Sequence, residues 1–278
     1  MSLIPCAQID LGGGVMLPQL GYGTWQVPPA DTRELVAAAL AAGYRHIDTA
    51  AIYGNERGVG EALRESGIAR EQVFITTKLW NDAHGRESAR AALECSLGKL
   101  GLDHVDLYLI HWPLPSVDRY VETWEALIER REAGLATASG VSNFLEEHLR
   151  RIVAETSVVP AVNQIELHPY LAQGSLRAVH EELGIATESW SPLAQGEVLA
   201  DPAIAAIAAA HAVTPAQVVV RWHLQQGLTV IPRSIRADRI ASNADVFGFS
   251  LDPDELARIC ALDAGRRVGP DPATFAFV

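Results

Sequence analysis

Four side chains able to exchange or orient protons fall within short distances of apolar runs. They are Asp48 and Tyr53 in "GYRHIDTAAIYGNE" (43–56), Lys78 in "ITTKLW" and His111 in "VDLYLIHW". Alone, each has an ordinary explanation, since a strand-end lysine is usually a solvated terminus and a lone histidine a satisfied core residue. Together they sit just past three consecutive apolar runs, so strands ending on a common face would deliver all four to one place. A phenol ionises near pH ~10 and is a poor acid near neutrality unless a cation favours its anion. Lys78 is that cation. A buried lysine sheds its proton unless a carboxylate holds it, which gives Asp48 a role. Tyr53 and His111 would then hydrogen-bond a substrate oxygen, and Tyr53 would protonate it as negative charge develops there. Something else must attack the carbon. The sequence has no GxSxG elbow, no HExxH and no Cys/His cluster with zinc spacing, so no metal is expected and covalent hydrolysis lacks support. Hydride from a nicotinamide is the reading that remains, with an aldolase using Lys78 as a Schiff base as a rival.

The elements that would position these groups alternate regularly. Eight short runs rich in β-branched residues read as strands: "LPQLGYGT", "YRHIDTA", "VFITTKLW", "VDLYLIHW", "TASGVSN", "PAVNQIEL", "ATESWSPL" and "LTVIPRS". Between them lie helical patterns such as "DTRELVAAALAAG" and "RYVETWEALIERREAG". Asp31 with Glu34 reads as a capping box before a helix that Gly43 ends, and Thr214, Pro215 and Gln217 repeat that pattern. Eight strand-helix units close most economically into a (β/α)8 TIM barrel of α/β class, a fold that fills about 250 residues as one domain. The expectation is therefore a single domain over 1–278. A doubly wound sheet would show a glycine-rich phosphate loop, but "GYG" at 21–23 lacks the third glycine and "GNERGVG" at 54–60 has the wrong spacing, so both read as turn and packing glycines. "IDLGGGVML" reads as an N-terminal β-hairpin plugging the barrel's bottom, with Gly12 to Gly14 as its turn.

With that phase fixed, the carboxyl ends of the strands carry Trp25, then Asp48 and Tyr53, Lys78 and Trp80, His111 and Trp112. Ser142 and Asn143, Gln164 and Glu166, Trp190 and Ser191, and Arg233 and Ser234 follow. Barrel enzymes keep their chemistry at this end. Trp25, Trp80 and Trp112 are expected to wall a substrate pocket rather than to fill the core.

The composition, 49% hydrophobic and 20% charged, is that of a soluble globular chain. A formal net charge of −12 disfavours nonspecific nucleic-acid or acidic-membrane binding while leaving room for a local basic patch that holds a small anion. The start lacks a basic segment followed by a long apolar one, and "AIAAIAAAHAV" is too short to span a bilayer, so a cytoplasmic location is expected. Cys6, Cys95 and Cys260 lie far apart and read as buried or half-buried thiols outside any disulfide framework.

These motifs, in this order, resemble the aldo-keto reductase superfamily along essentially the whole chain: the strand-two signature around Asp48 and Tyr53, "ITTKLW", "VDLYLIHWP", "GVSNF" and "IPRS". "LPQLGYGTWQVPPADT", "VVPAVNQIELHP", "ESWSPLAQG" and "TPAQVVVRWHLQ" further resemble the bacterial 2,5-diketo-D-gluconate reductases. The resemblance implies NADPH lying extended across the barrel mouth, Tyr53 as general acid tuned by Lys78 and Asp48, and His111 orienting the carbonyl. It implies Ser142, Asn143 and Gln164 on the nicotinamide carboxamide and Trp190 stacked on the ring. Ser191, Pro192 and Leu193 would approach the pyrophosphate, and Arg233, Ser234, Arg236, Arg239 and Asn243 the adenosine end with its 2′-phosphate. It also implies a monomer acting on a small carbonyl compound, an aldehyde, ketone or α-dicarbonyl such as 2,5-diketo-D-gluconate. A noncatalytic NADPH-sensing barrel subunit is the alternative that the same family offers.

Two positions depart from the family pattern. Arg233 stands where lysine is usual, keeping the charge and adding a planar fork suited to phosphate. Ser139 stands before "GVSN" where an aliphatic residue is common, with no role that the sequence suggests. The tail "GRRVGPDPATFAFV" carries few helix or strand signals, as a lid over the pocket or a disordered terminus would.

Overall fold

The computed structural model describes residues 7–277. It opens with an antiparallel hairpin, β1 (Gln8–Asp10) and β2 (Met16–Pro18), turned by Gly12, Gly13 and Gly14, all at positive φ. Eight parallel strands follow in sequence order around one sheet. They are β3 (Tyr22–Gly23), β4 (His46–Asp48), β5 (Phe74–Leu79), β6 (Val105–Ile110), β7 (Ala136–Ser142), β8 (Val162–Glu166), β9 (Ala186–Trp190) and β10 (Thr229–Val230). Leu20 bridges Val230 in parallel, and the Gly21 N–H donates to the Val230 carbonyl at 2.9 Å, which joins the first strand to the last. The sheet is thus the expected (β/α)8 barrel.

Helices α1 (Pro29–Ala41), α2 (Glu56–Ser66), α3 (Arg86–Leu100), α4 (Tyr120–Glu132), α5 (Glu146–Thr156) and α6 (Gly174–Leu183) each connect one strand to the next. The apolar run after β9 forms two helices, α7 (Pro202–Ala210) and α8 (Pro215–Gln225). Helices α9 (Ala237–Ala244) and α10 (Pro253–Cys260) follow β10. Among the described residues no single helix is long and apolar enough to cross a membrane.

The capping expectations divide. Thr214 and Gln217 form the reciprocal box, with Gln217 N–H to Thr214 Oγ1 at 3.3 Å and Thr214 N–H to Gln217 Oε1 at 2.9 Å. Asp31 and Glu34 do not cap, because Pro28 takes the N-cap position and Pro29, whose φ is preset for a first turn, starts α1 earlier. Asp31 lies inside that first turn, where an acid still complements the helix dipole. Cys95 and Cys260 are exposed rather than buried, and Cys6 lies outside the described residues.

Alternate residues on each strand point into the barrel and build layers. The floor is apolar: Phe74, Leu107, Leu109, Ala138 and Val162 pack with Leu17, which the hairpin drives in as the expected plug. The intervening Tyr108, Ile110 and Ile165 face outward and pack under the helices. Further up four of the strands the interior turns polar, with Asp48 above His46, Thr76 and Lys78 above Phe74, Gln164 above Val162 and Glu188 above Ala186. Room for His46 comes from Gly21, where a Cβ would lie 2.5 Å from His46 Nδ1. Gly60 packs tightly in the same way, since a Cβ there would meet the Leu100 backbone. These glycines serve packing, as their spacing implies. Ser139 faces outward, and its hydroxyl donates to the Leu127 carbonyl of α4 at 3.2 Å, a polar tie between sheet and helix.

Candidate active site

The carboxyl ends of the strands surround a cavity of about 1020 Å³, at the upper end of ordinary ligand sites. Asp48, Tyr53 and His111 line it, and Lys78 stands immediately behind, fully buried. Lys78 Nζ donates to Asp48 Oδ1 at 2.6 Å and to the Thr49 carbonyl at 2.9 Å. The same ammonium lies 5.2 Å from the centre of the Tyr53 ring. Burial, the largest influence, pulls Lys78 down, but Asp48, by charge and hydrogen bond, together with Tyr53 and Glu188 outweighs it and holds the lysine above its ordinary value, so it stays charged. Tyr53 departs from the expected tuning in net direction. Burial pushes the phenol up to about 12, and Lys78 only partly offsets it while Asp48 adds to the rise. The lysine therefore works against burial rather than producing an acidic phenol outright.

His111 meets the Tyr53 ring edge to face, with centroids 5.7 Å apart, and meets Trp80 in the same manner at 5.1 Å. Burial and then Lys78 hold its pKa well below the ordinary histidine value, so the ring is neutral at pH 7. Its Nδ1 is buried without a protein partner, and the residue lines the cavity. A neutral imidazole beside a phenol can hold a carbonyl oxygen without competing as the acid.

Ser142, Asn143 and Gln164 form one bonded group. Ser142 Oγ donates to the Gln164 carbonyl at 2.8 Å, and Asn143 Nδ2 donates to the His111 carbonyl and to Ser142 Oγ, both at 3.0 Å. Asn143 Oδ1 accepts from Trp190 Nε1 at 2.9 Å. Gln164 Nε2 gives its hydrogens to Asp48 Oδ2 at 2.8 Å and Glu188 Oε2 at 3.0 Å. What this group offers the cavity is acceptor capacity, at Gln164 Oε1 and the second lone pair of Asn143 Oδ1. That is the complement of a primary amide N–H, as a nicotinamide carboxamide carries.

Ser191, Pro192 and Leu193 border the cavity on a loop in which Ser191, Ala194 and Gln195 all hold positive φ (47°, 46° and 54°). Strained non-glycine backbone of this kind concentrates at ligand sites. Arg233, Ser234, Arg236 and Arg239 line it from the segment that follows β10, so a chain of net charge −12 places three cations on one wall segment of the cavity. Arg233 donates to Gln26 Oε1 at 2.5 Å, whereas Arg236 is tied to Asp238 by two bonds of 3.1 and 2.7 Å. Asn243 is buried on α9 and does not line the cavity.

Trp25, Trp80 and Trp112 all line the cavity. The tail closes over it as an ordered strap: Phe275 lies 4.2 Å from Trp112 and Phe277 lies 6.2 Å from Trp80, centre to centre. Asn81 Nδ2 holds the Phe277 carbonyl at 2.6 Å. Buried Glu166 clasps the strap's base, accepting the Val268 N–H at 2.6 Å and the Gly269 N–H at 3.2 Å. Gly269 rides on the Trp190 ring, where a Cβ would come within 2.3 Å. Sequence reasoning missed Gln26, the clasp at Glu166 and Glu188. The available signal was an acid inside an otherwise strand-like run in "QIEL" and "TESW".

Comparison with known proteins matches residues 11–264 to the aldo/keto reductase family. The chain is 54% identical over 270 residues to an aldo-keto reductase of Mycolicibacterium smegmatis, covering 97% of this chain and 98% of that one. It is 52% identical over 269 residues to the methylglyoxal reductase DkgA of Escherichia coli, covering 96% and 97%. Among solved structures, a Gox0644 variant in complex with NADPH superposes with a TM-score of 0.94 at 50% identity, covering 98% of this chain and 99% of that one. With the barrel, the buried Lys78–Asp48 pair and the matched family model in agreement, the chain belongs to the aldo/keto reductase family.

Proposed function

We propose that this chain, acting as one unit over residues 1–278 and as a cytoplasmic monomer, reduces a small uncharged carbonyl compound with NADPH. The observation that carries this reading is the buried Lys78–Asp48 pair under Tyr53, with neutral His111 facing the same cavity. NADPH supplies the hydride. Ser142, Asn143 and Gln164 would hold its carboxamide, Trp190 its ring, and the arginine segment its phosphates. Tyr53 gives the proton to the carbonyl oxygen that His111 orients, and the aromatic strap excludes water from the exchange.

The charge distribution supports an α-dicarbonyl such as methylglyoxal over an anionic sugar acid. The cavity's cations, Arg233, Arg236 and Arg239, all sit on the one segment after β10, while Trp80, Trp112, Phe275 and Phe277 form the aromatic wall beside His111. A carboxylate there would be desolvated without a counter-ion. Steady-state NADPH oxidation with methylglyoxal and with 2,5-diketo-D-gluconate tests this, and we expect the higher kcat/KM for methylglyoxal. Absence of turnover with any aldehyde or dicarbonyl would leave the noncatalytic sensor as the better reading.

Cofactor choice gives a separate prediction. A charged hydrogen bond contributes roughly 1.5–3 kcal/mol, so Arg233→Ala weakens NADPH about 10- to 150-fold. NADH, lacking the 2′-phosphate, changes far less. Titration of both cofactors by tryptophan fluorescence measures the difference, and equal weakening would put Arg233 on the pyrophosphate instead.

A further inference from the structure

Beneath the catalytic pair lies a second buried carboxyl that the proposed reaction does not use. Glu188 on β9 is fully buried inside the barrel, and its Oε2 shares the Gln164 amide with Asp48: 3.0 Å to one carboxyl, 2.8 Å to the other. Its Oε1 has no hydrogen-bond partner. The nearest candidate cation, His46, stands 3.6 Å away with its Nε2 on Thr76 Oγ1. Burial, and then Lys78, press His46 down to about 3, so it is neutral and cannot balance a carboxylate. Lys78 is already spent on Asp48. Thr229, paired with Glu188 across to β10, is uncharged. The groups facing Glu188 therefore hold one positive charge, on Lys78, and one negative charge, on Asp48. A second carboxylate here would be a dry, uncompensated anion.

We propose that Glu188 is a positioning residue that keeps a proton through the neutral range, and that its ionisation switches off carbonyl reduction on the alkaline side by acting through Gln164, Asp48 and Lys78 on Tyr53. This rests on the reductase reading above. Burial pushes both carboxyls up, Glu188 to about 8 with the Asp48 charge adding to it; Asp48 alone has the 2.6 Å ammonium contact that opposes its rise, so the negative charge of the two is favoured on Asp48. Once Glu188 ionises, its charge adds to the forces that raise the Tyr53 phenol, making a weaker acid. The same proton links to stability. A carboxyl raised in the folded state binds a proton the unfolded chain releases, so its contribution is lost as pH climbs towards about 8.

The test combines the kcat profile for reduction with infrared titration of the protonated carboxyl band. In the wild type, kcat should fall roughly three- to tenfold on the alkaline side, up to one unit in the donor's pKa. The break should lie near pH 8. Glu188→Gln should keep neutral-pH turnover and lose that break. A carboxyl band should titrate with the same midpoint, persist in Asp48→Asn and vanish in Glu188→Gln. An unchanged break in Glu188→Gln overturns the proposal. So does a wild type with no protonated carboxyl at neutral pH, a measurement that needs neither turnover nor a folded variant. If the band behaves as expected but no carbonyl is reduced, the reductase reading fails while the buried proton stands.

Discussion

Replacing Tyr53 with phenylalanine is expected to lower kcat for carbonyl reduction by at least about 100-fold, or about 2.7 kcal/mol of transition-state stabilisation, the scale of a lost general acid. Only a hydroxyl is removed. The ring keeps its edge-to-face contact with His111 and its place over Lys78, so the pocket wall and the NADPH affinity stay intact. The phenol sits at about 12 in the absence of ligand, and at that value it is protonated throughout the working range, as a proton donor must be. Stopped-flow single-turnover measurement separates the chemical step from product release. A variant with wild-type hydride transfer in that measurement would remove Tyr53 from the reaction.

The barrel and the meeting of Asp48, Tyr53, Lys78 and His111 at one end of it were legible because each depends on local pattern. Alternation of apolar runs with helical stretches fixes the strand phase, and the phase alone delivers Asp48, Lys78 and His111 to one end. The layered interior was harder to see. Glu188 in "ATESW" reads as one acid among polar neighbours, and period two says only that it shares a face with Ala186 and Trp190. In an open sheet that face could meet water. Closure of β3 onto β10 through Leu20 and Val230 puts it in the dry interior instead, and closure is a long-range property. The size of Tyr53's displacement was hidden for the same reason, since it sits on a short turn after β4 against His111 and Lys78, which come from other strands. The strap had no periodic signal because it uses neither helix nor ladder. Its order comes from Glu166 taking two consecutive backbone N–H groups and from Phe275 and Phe277 covering two tryptophans. Asp31 failed as a cap through a local rule overlooked, the preference of proline for a first turn.

Lys78→Met should abolish reduction at least as thoroughly, by about 100-fold or more, but by a different route. The donor remains while the interaction that lowers its pKa is gone, so the phenol rises further and burial acts unopposed. Asp48, 2% exposed, loses the 2.6 Å contact that keeps it ionised and takes up a proton. Breaking a buried pair from one side costs about 3–5 kcal/mol, reduced here by that protonation. The sign of the pH effect follows. A carboxyl whose folded pKa is raised holds a proton that the unfolded chain gives up, so the variant loses stability, relative to wild type, as pH rises above the unfolded carboxylate value. Thermal melting of both proteins across pH should show the gap narrowing in acid. Adding Asp48→Asn to Lys78→Met removes the stranded carboxyl, and the double variant should regain melting temperature without regaining turnover. Recovery of turnover along with stability would make the pair purely structural, and an unaltered pH–rate profile in Lys78→Met would refute its tuning of Tyr53.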